Sequence, residues 1–175
     1  MAAFTVIDHT ELGAAAASWT EGSIPSSYDH LCLKISARTD QAAVIAGMGM
    51  KFNSATTNYS ETRLTASSAT PASSRKTGES IFRAWGNACG ANALADTFST
   101  TTVWIPNYAN TANYKPFISQ SAVENNSAVD GNWYLVTGAG LWSDAAAISQ
   151  IDISLLSGDD FVQYSTFTLY GVTGA

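Results

Sequence analysis

The sequence predicts an all-β fold: a single β-sandwich domain over residues 1–175, of jelly-roll or related Greek-key type, with little helix. Three observations lead there. Residues 28–38 (YDHLCLKISAR) carry apolar side chains at 31, 33, 35 and 37 and polar ones at 30, 34, 36 and 38, the alternation of a strand with one face on a core. Short segments rich in β-branched and aromatic residues, bounded by Gly, Asn, Pro or Ser, recur along the whole chain. The last fifteen residues, FVQYSTFTLYGVTGA, hold no charged side chain although the chain carries a net charge of −6. An acidic disordered tail has charge runs and few aromatics, so this ending reads as a paired strand.

Taken in order, residues 4–7 (FTVI) predict a first strand. Residues 10–18 (TELGAAAAS) predict a short helix with Thr10 as its N-cap. Strands follow at 28–38, 49–53, 58–65 and 80–85. Between the last two, residues 66–78 (ASSATPASSRKTG) are small, polar and contain Pro71, the mark of a flexible loop or of an arm ordered by a partner. Further strands are predicted at 97–105, 117–123 and 133–141, with the turn-rich stretch 106–116 (PNYANTANYKP) between the first two. Residues 144–147 could add one helical turn. Residues 151–155 (IDISL) alternate again, and the Ser157-Gly158-Asp159-Asp160 turn that follows predicts a hairpin with the C-terminal strand.

A chain of 175 residues, 46% hydrophobic, can bury one sizeable core without metals or disulfides. Charged residues make up 13%, about half the globular average of roughly 25%, so Ser, Thr, Asn, Gly and Ala must form much of the surface. Eight Lys and Arg against fourteen Asp and Glu, with Arg75-Lys76 the one adjacent basic pair, argue against nucleic acid as a partner. The opening MAAFTVIDHTELG lacks the basic and apolar regions of a secretory signal, and no run of eighteen apolar residues is present. The expectation is a cytosolic product without a membrane span, in which the sequons at Asn58 and Asn125 are chance matches. Cys32 and Cys89 are too few for a cystine scaffold and lack zinc-site spacing. Cys32 sits in a strand pattern as a small buried hydrophobe, and a disulfide between the two stays open.

No catalytic constellation is legible. His9 follows Asp8 and His30 follows Asp29, but neighbours in a strand point to opposite faces and form no dyad. There is no HExxH, no GxSxG, no phosphate loop and no EF-hand spacing. The expectation is therefore no catalytic, cofactor-binding or metal-binding residues. Asp159-Asp160 could offer oxygens to calcium, yet a Gly-Asp-Asp turn between strands needs no metal. Tryptophans 19, 85, 104, 133 and 142 invite stacking on sugar rings, although burial is the commoner fate of Trp. Trp104 shares its strand face with Phe98, Thr100 and Thr102, a mixture suited to a core edge or an intersubunit contact.

Residues 27–40 (SYDHLCLKISARTD), 52–64 (FNSATTNYSETRL), 104–117 (WIPNYANTANYKPF), 140–153 (GLWSDAAAISQIDI) and 161–172 (FVQYSTFTLYGV) together resemble a family of small β-rich virion proteins of tailed bacteriophages. The resemblance runs in matching order over most of the chain and brings no catalytic residues with it. It implies a structural component of the virion, assembled in the host cytoplasm. Within that setting, the neutral surface and the lack of heptads or a shaft repeat lead to a capsid decoration (cement) protein. Such a protein would sit on the major capsid protein of the phage head as a homotrimer. The alternative is a tail-fibre or receptor-binding module that recognises a cell-surface glycan. A polysaccharide hydrolase, the third reading, would need a pair of carboxylates across a cleft, which the linear spacing does not supply.

Overall fold

The computed structural model describes residues 3–129 and 131–174. Twelve strands form two antiparallel sheets packed as a sandwich. They are β1 (Ala3–Glu11), β2 (Ser18–Glu21), β3 (His30–Ser36), β4 (Ile45–Phe52), β5 (Tyr59–Ala66), β6 (Ala72–Glu79), β7 (Asn87–Cys89), β8 (Thr100–Pro106), β9 (Lys115–Val123), β10 (Tyr134–Trp142), β11 (Ile151–Leu155) and β12 (Thr166–Thr173). The large sheet runs β1-β12-β3-β8-β9-β10-β5-β6, and the small one β2-β11-β4-β7. The C-terminal strand thus lies between two N-terminal ones, an interleaving of Greek-key kind rather than a meander.

Alternation decides which face each strand buries. In β3, Leu31, Leu33 and Ile35 point into the core, as do Phe167 and Leu169 of β12 and Val103 and Ile105 of β8. From the small sheet, Met48, Met50, Phe52, Ile151 and Ile153 meet them in one continuous hydrophobic cluster. Stacking of Trp19 on Phe167, with ring centroids 5.3 Å apart, ties β2 to β12 across the layers.

Four strands cannot cover eight, and irregular chain completes the second layer over β9, β10 and β5. Residues 80–85, expected as a strand, pass here with Phe82, Ala84 and Trp85 buried and a single bridge from Phe82 to Met50. Their apolar pattern reflects burial, but their backbone bonds elsewhere: the Arg83 and Ala84 N–H groups donate to the Glu61 carboxylate at 2.9–3.1 Å. The sheet beneath is carved to admit them, since a Cβ on Gly138 would lie 2.7 Å from Ser119 Oγ and 3.1 Å from the Ala84 carbonyl oxygen.

Other expectations are corrected. Neither 10–18 nor 144–147 is helical. Thr10 and Glu11 extend β1, while the Leu12 and Ala16 N–H groups donate to the Ser165 and Phe161 carbonyls. Those tertiary bonds outcompete a helix too short to offset its nucleation cost. Residues 66–78 are mostly not loop, because 72–79 form β6 against β5. The hairpin of 151–155 with the C-terminal strand is absent: β11 pairs with β2 and β4, and β12 pairs with β1 and β3 in the other sheet. After the Gly158 turn the chain crosses between layers, bridging from Phe161 to Ala16 and Thr39. Cys32 and Cys89 are both free and buried.

Candidate functional site

The two outer faces of the sandwich differ in kind. On the small sheet, Asp152 accepts hydrogen bonds from Thr20, Ser54 and Gln150 at 2.7–3.0 Å, a self-satisfied polar network. Beside it, Gly47 and Gly49 lack side chains because Leu156 and Ile81 lie over them. That face is polar or already covered.

The outer face of the large sheet is neither. Strands β12, β3, β8, β9 and β10 contain two charged residues, Lys34 and Lys115, and Lys115 is buried, its ammonium donating to the Asn113 and Ala145 carbonyls. Desolvation pushes the Lys115 pKa down, with Asp144 pulling it back up. Lys34 is thus the one charge these strands present outward. Among the described residues, six of the eleven exposed large hydrophobic ones lie on this face, namely Phe4, Val6, Leu64, Trp104, Ile118 and Leu135.

The register aligns them. One cross-strand row runs from Val6 through Tyr170, Cys32 and Trp104, then on through Ile118, Ala139 and Thr62 to Arg75. The neighbouring row holds Thr168, Lys34, Thr102, Gln120, Thr137 and Leu64. An apolar row therefore lies beside a hydroxyl- and amide-bearing one. Between them, Lys34, Thr102, Trp104, Ile118 and Gln120 line a shallow depression, and Thr100, Gln120, Leu135 and Thr137 line another.

At the β1 end, Phe4 packs edge-on against both Trp104 and Tyr170 at 5.6 and 5.9 Å between ring centroids. Cys32 lies between Tyr170 and Trp104 in the row and is 1% exposed despite facing outward. Burial pushes its thiol pKa up, and Lys34 pulls it down by less.

The residues singled out in the sequence are scattered. Asp8 faces inward, where its carboxylate accepts hydrogen bonds from the Trp19 indole and the Thr10 hydroxyl, while His9 bonds Thr168 on the outer face at 2.8 Å. His30 accepts a backbone N–H from Asn107. Asp160 donates its N–H to Asp40 Oδ1, and among the described residues no three of His, Cys, Asp and Glu gather as a metal site. Trp19, Trp85 and Trp142 are core residues, Trp133 is half-buried and Trp104 is 37% exposed. The sequence does not reveal Glu61 or Lys115, which hold backbone groups brought from 22 and 30 residues away, Lys115 alongside the nearby Asn113 carbonyl.

No family model, curated protein or solved structure matches the chain.

Proposed function

We propose that the protein is a non-enzymatic structural component of a bacteriophage virion, a decoration or cement protein on the outside of the head. In this reading it contacts the major capsid protein through the outer face of the large sheet and assembles as a homotrimer. The observation that carries the reading is that face: eight strands wide, with Glu11, Lys34 and Arg75 as the outward charges of its strands and Lys34 alone on the five from β12 to β10, and apolar from Val6 to Ala139 along one row. At strand spacings of about 4.8 Å and about 3.3 Å per residue, its footprint is roughly 900 Å². Standard protein interfaces bury about 800 Å² per partner. Weak charge is suited to a shell, where the contact repeats many times and long-range repulsion between copies would accumulate. The virion setting rests on the sequence resemblance.

Labelling the protein on purified particles and imaging them by electron microscopy tests the proposal. Label distributed over the head supports it. Label confined to the tail tip, or missing from particles, overturns it.

A second reading is favoured by Trp104, whose exposed ring has Lys34, Thr102 and Gln120 beside it. An aromatic face flanked by hydrogen-bond donors is the arrangement that holds a sugar ring, and the function would then be glycan recognition by a tail-fibre or receptor-binding module. Binding to a glycan array that disappears in Trp104→Ala, together with label at the tail tip, would select this reading.

A further inference from the structure

We infer that neighbouring copies join edge to edge, β1 of one against β6 of the next, so that the large sheet continues from subunit to subunit around a closed ring. The inference deepens the homotrimer proposed above and rests on it, naming the surface that would build it.

Both ends of the large sheet project beyond the sandwich. In β6, residues 72–78 are exposed on both faces, and so are residues 3–6 of β1; residues 8–11 of β1 keep their outer face exposed, with Asp8 and Thr10 half-buried against Trp19 on the inner one, whereas the strands between alternate between buried and open. A strand without cover on either face, with one row of backbone N–H and C=O groups open, is a template for another strand. Three properties make the two edges fit each other. Every strand pair in the sheet is antiparallel and the order has eight strands, so β1 and β6 run in opposite directions and an added pairing would be antiparallel too.

Their net charges are opposite: β1 carries Asp8 and Glu11, and β6 carries Arg75 and Lys76 against Glu79, which lies 4.0 Å from Lys76 and also bonds Arg83. Placing Asp8 opposite Lys76 matches the faces as well, because both point to the inner side, and His9 and Glu11 share the outer side with Arg75 and Ser73. In that register the irregularity after Val6 meets the one at Gly78, whose φ is +68°. The regular pairing is then the four residues Asp8 to Glu11 against Ser73 to Lys76, bounded by the two bulges. Two different edges make a heterologous contact, which cannot form a twofold pair and gives a ring where the rotation closes, as the homotrimer proposed above requires.

The test is a Glu11→Cys/Ser73→Cys double variant of the full chain under mild oxidation, with the native thiols buried and silent. The expected product is a disulfide-linked ladder ending at a closed trimer and collapsing on reduction, while each single variant yields nothing beyond dimer. A second variant, Arg75→Glu/Lys76→Glu, should be a folded monomer by light scattering and circular dichroism. A trimer that does not cross-link, or that survives the double charge reversal, would overturn the edge pairing and leave the trimer standing. A wild-type monomer would overturn both. Neither result bears on whether label appears on the phage head.

Discussion

Phe4 and Trp104 meet edge to face, 5.6 Å between ring centroids and 80° between planes, although β12 and β3 lie between their strands. The contact reaches across the outer face, and the residues buried beneath that stretch are Val172, opposite Phe4, and Cys32, the one thiol there. Phe4→Ala should therefore open the roof. The stability loss should be small, about 0.5–1.5 kcal/mol for an aromatic contact, because Phe4 is itself 53% exposed. The sensitive readout is thiol chemistry: the native wild type should be silent to an aromatic disulfide reagent, and the variant should react at one thiol. An unchanged titration would show that Cys32 is sealed by β12 and β8 alone.

Gly138 is small for a packing reason. Its would-be Cβ meets Ser119 Oγ and the Ala84 carbonyl oxygen, so Gly138→Ala should push residues 80–86 off the sheet and cost about 1–3 kcal/mol, the usual range for overpacking. Gly131, with nothing within 4 Å of its would-be Cβ but φ at +86°, is the contrasting control: alanine there strains the backbone without touching the core. Thermal denaturation that ranks Gly131→Ala alone as harmful would contradict the account of the second layer.

Glu61 predicts a pH dependence. Desolvation raises its pKa, opposed by the hydrogen bonds from the Ala84 and Arg83 N–H groups, with Glu79 raising it further and Arg63 lowering it. A carboxyl with a folded pKa above its unfolded value of about 4.3 binds more protons when folded. Its contribution is complete below that value and is lost as pH rises through the folded pKa. Relative to wild type, Glu61→Gln should become more favourable as pH rises from about 4 to neutrality. Chemical denaturation at both pH values measures this, and parallel stability profiles would contradict it.

Leu169 and Phe167 point into the core from a strand hydrogen-bonded on both sides, with Thr166, Thr168 and Tyr170 half-buried on the other face. Leu169→Ala should cost about 2–5 kcal/mol. Removing residues 161–175 should abolish folding, since it strips β1 and β3 of their shared partner and exposes the cluster around Phe161 and Phe167. A truncated chain with an unchanged melting temperature would make the C-terminal strand peripheral.

Local residue pattern settles which face of a strand is buried. Period-two alternation in 28–38 and 151–155 states which side chains are buried, because a strand's geometry alone places neighbours on opposite sides. The charge-free ending is legible as a strand from its aromatic content and lack of charge runs, and the pairing of β12 on both edges explains why charge is missing there. Pairing partners were left to the tertiary structure: alternation is equally satisfied by any register or neighbour of the right parity, so β11 and β12 looked like a hairpin while belonging to different sheets. Burial of 80–85 was readable and its lack of strand partners was not, because the Glu61 carboxylate that accepts its N–H groups lies about twenty residues away. The candidate face was hidden likewise. Val6, Trp104, Ile118 and Tyr170 are ordinary exposed or half-buried residues in four separate segments, and only the hydrogen-bonded register draws them into one row.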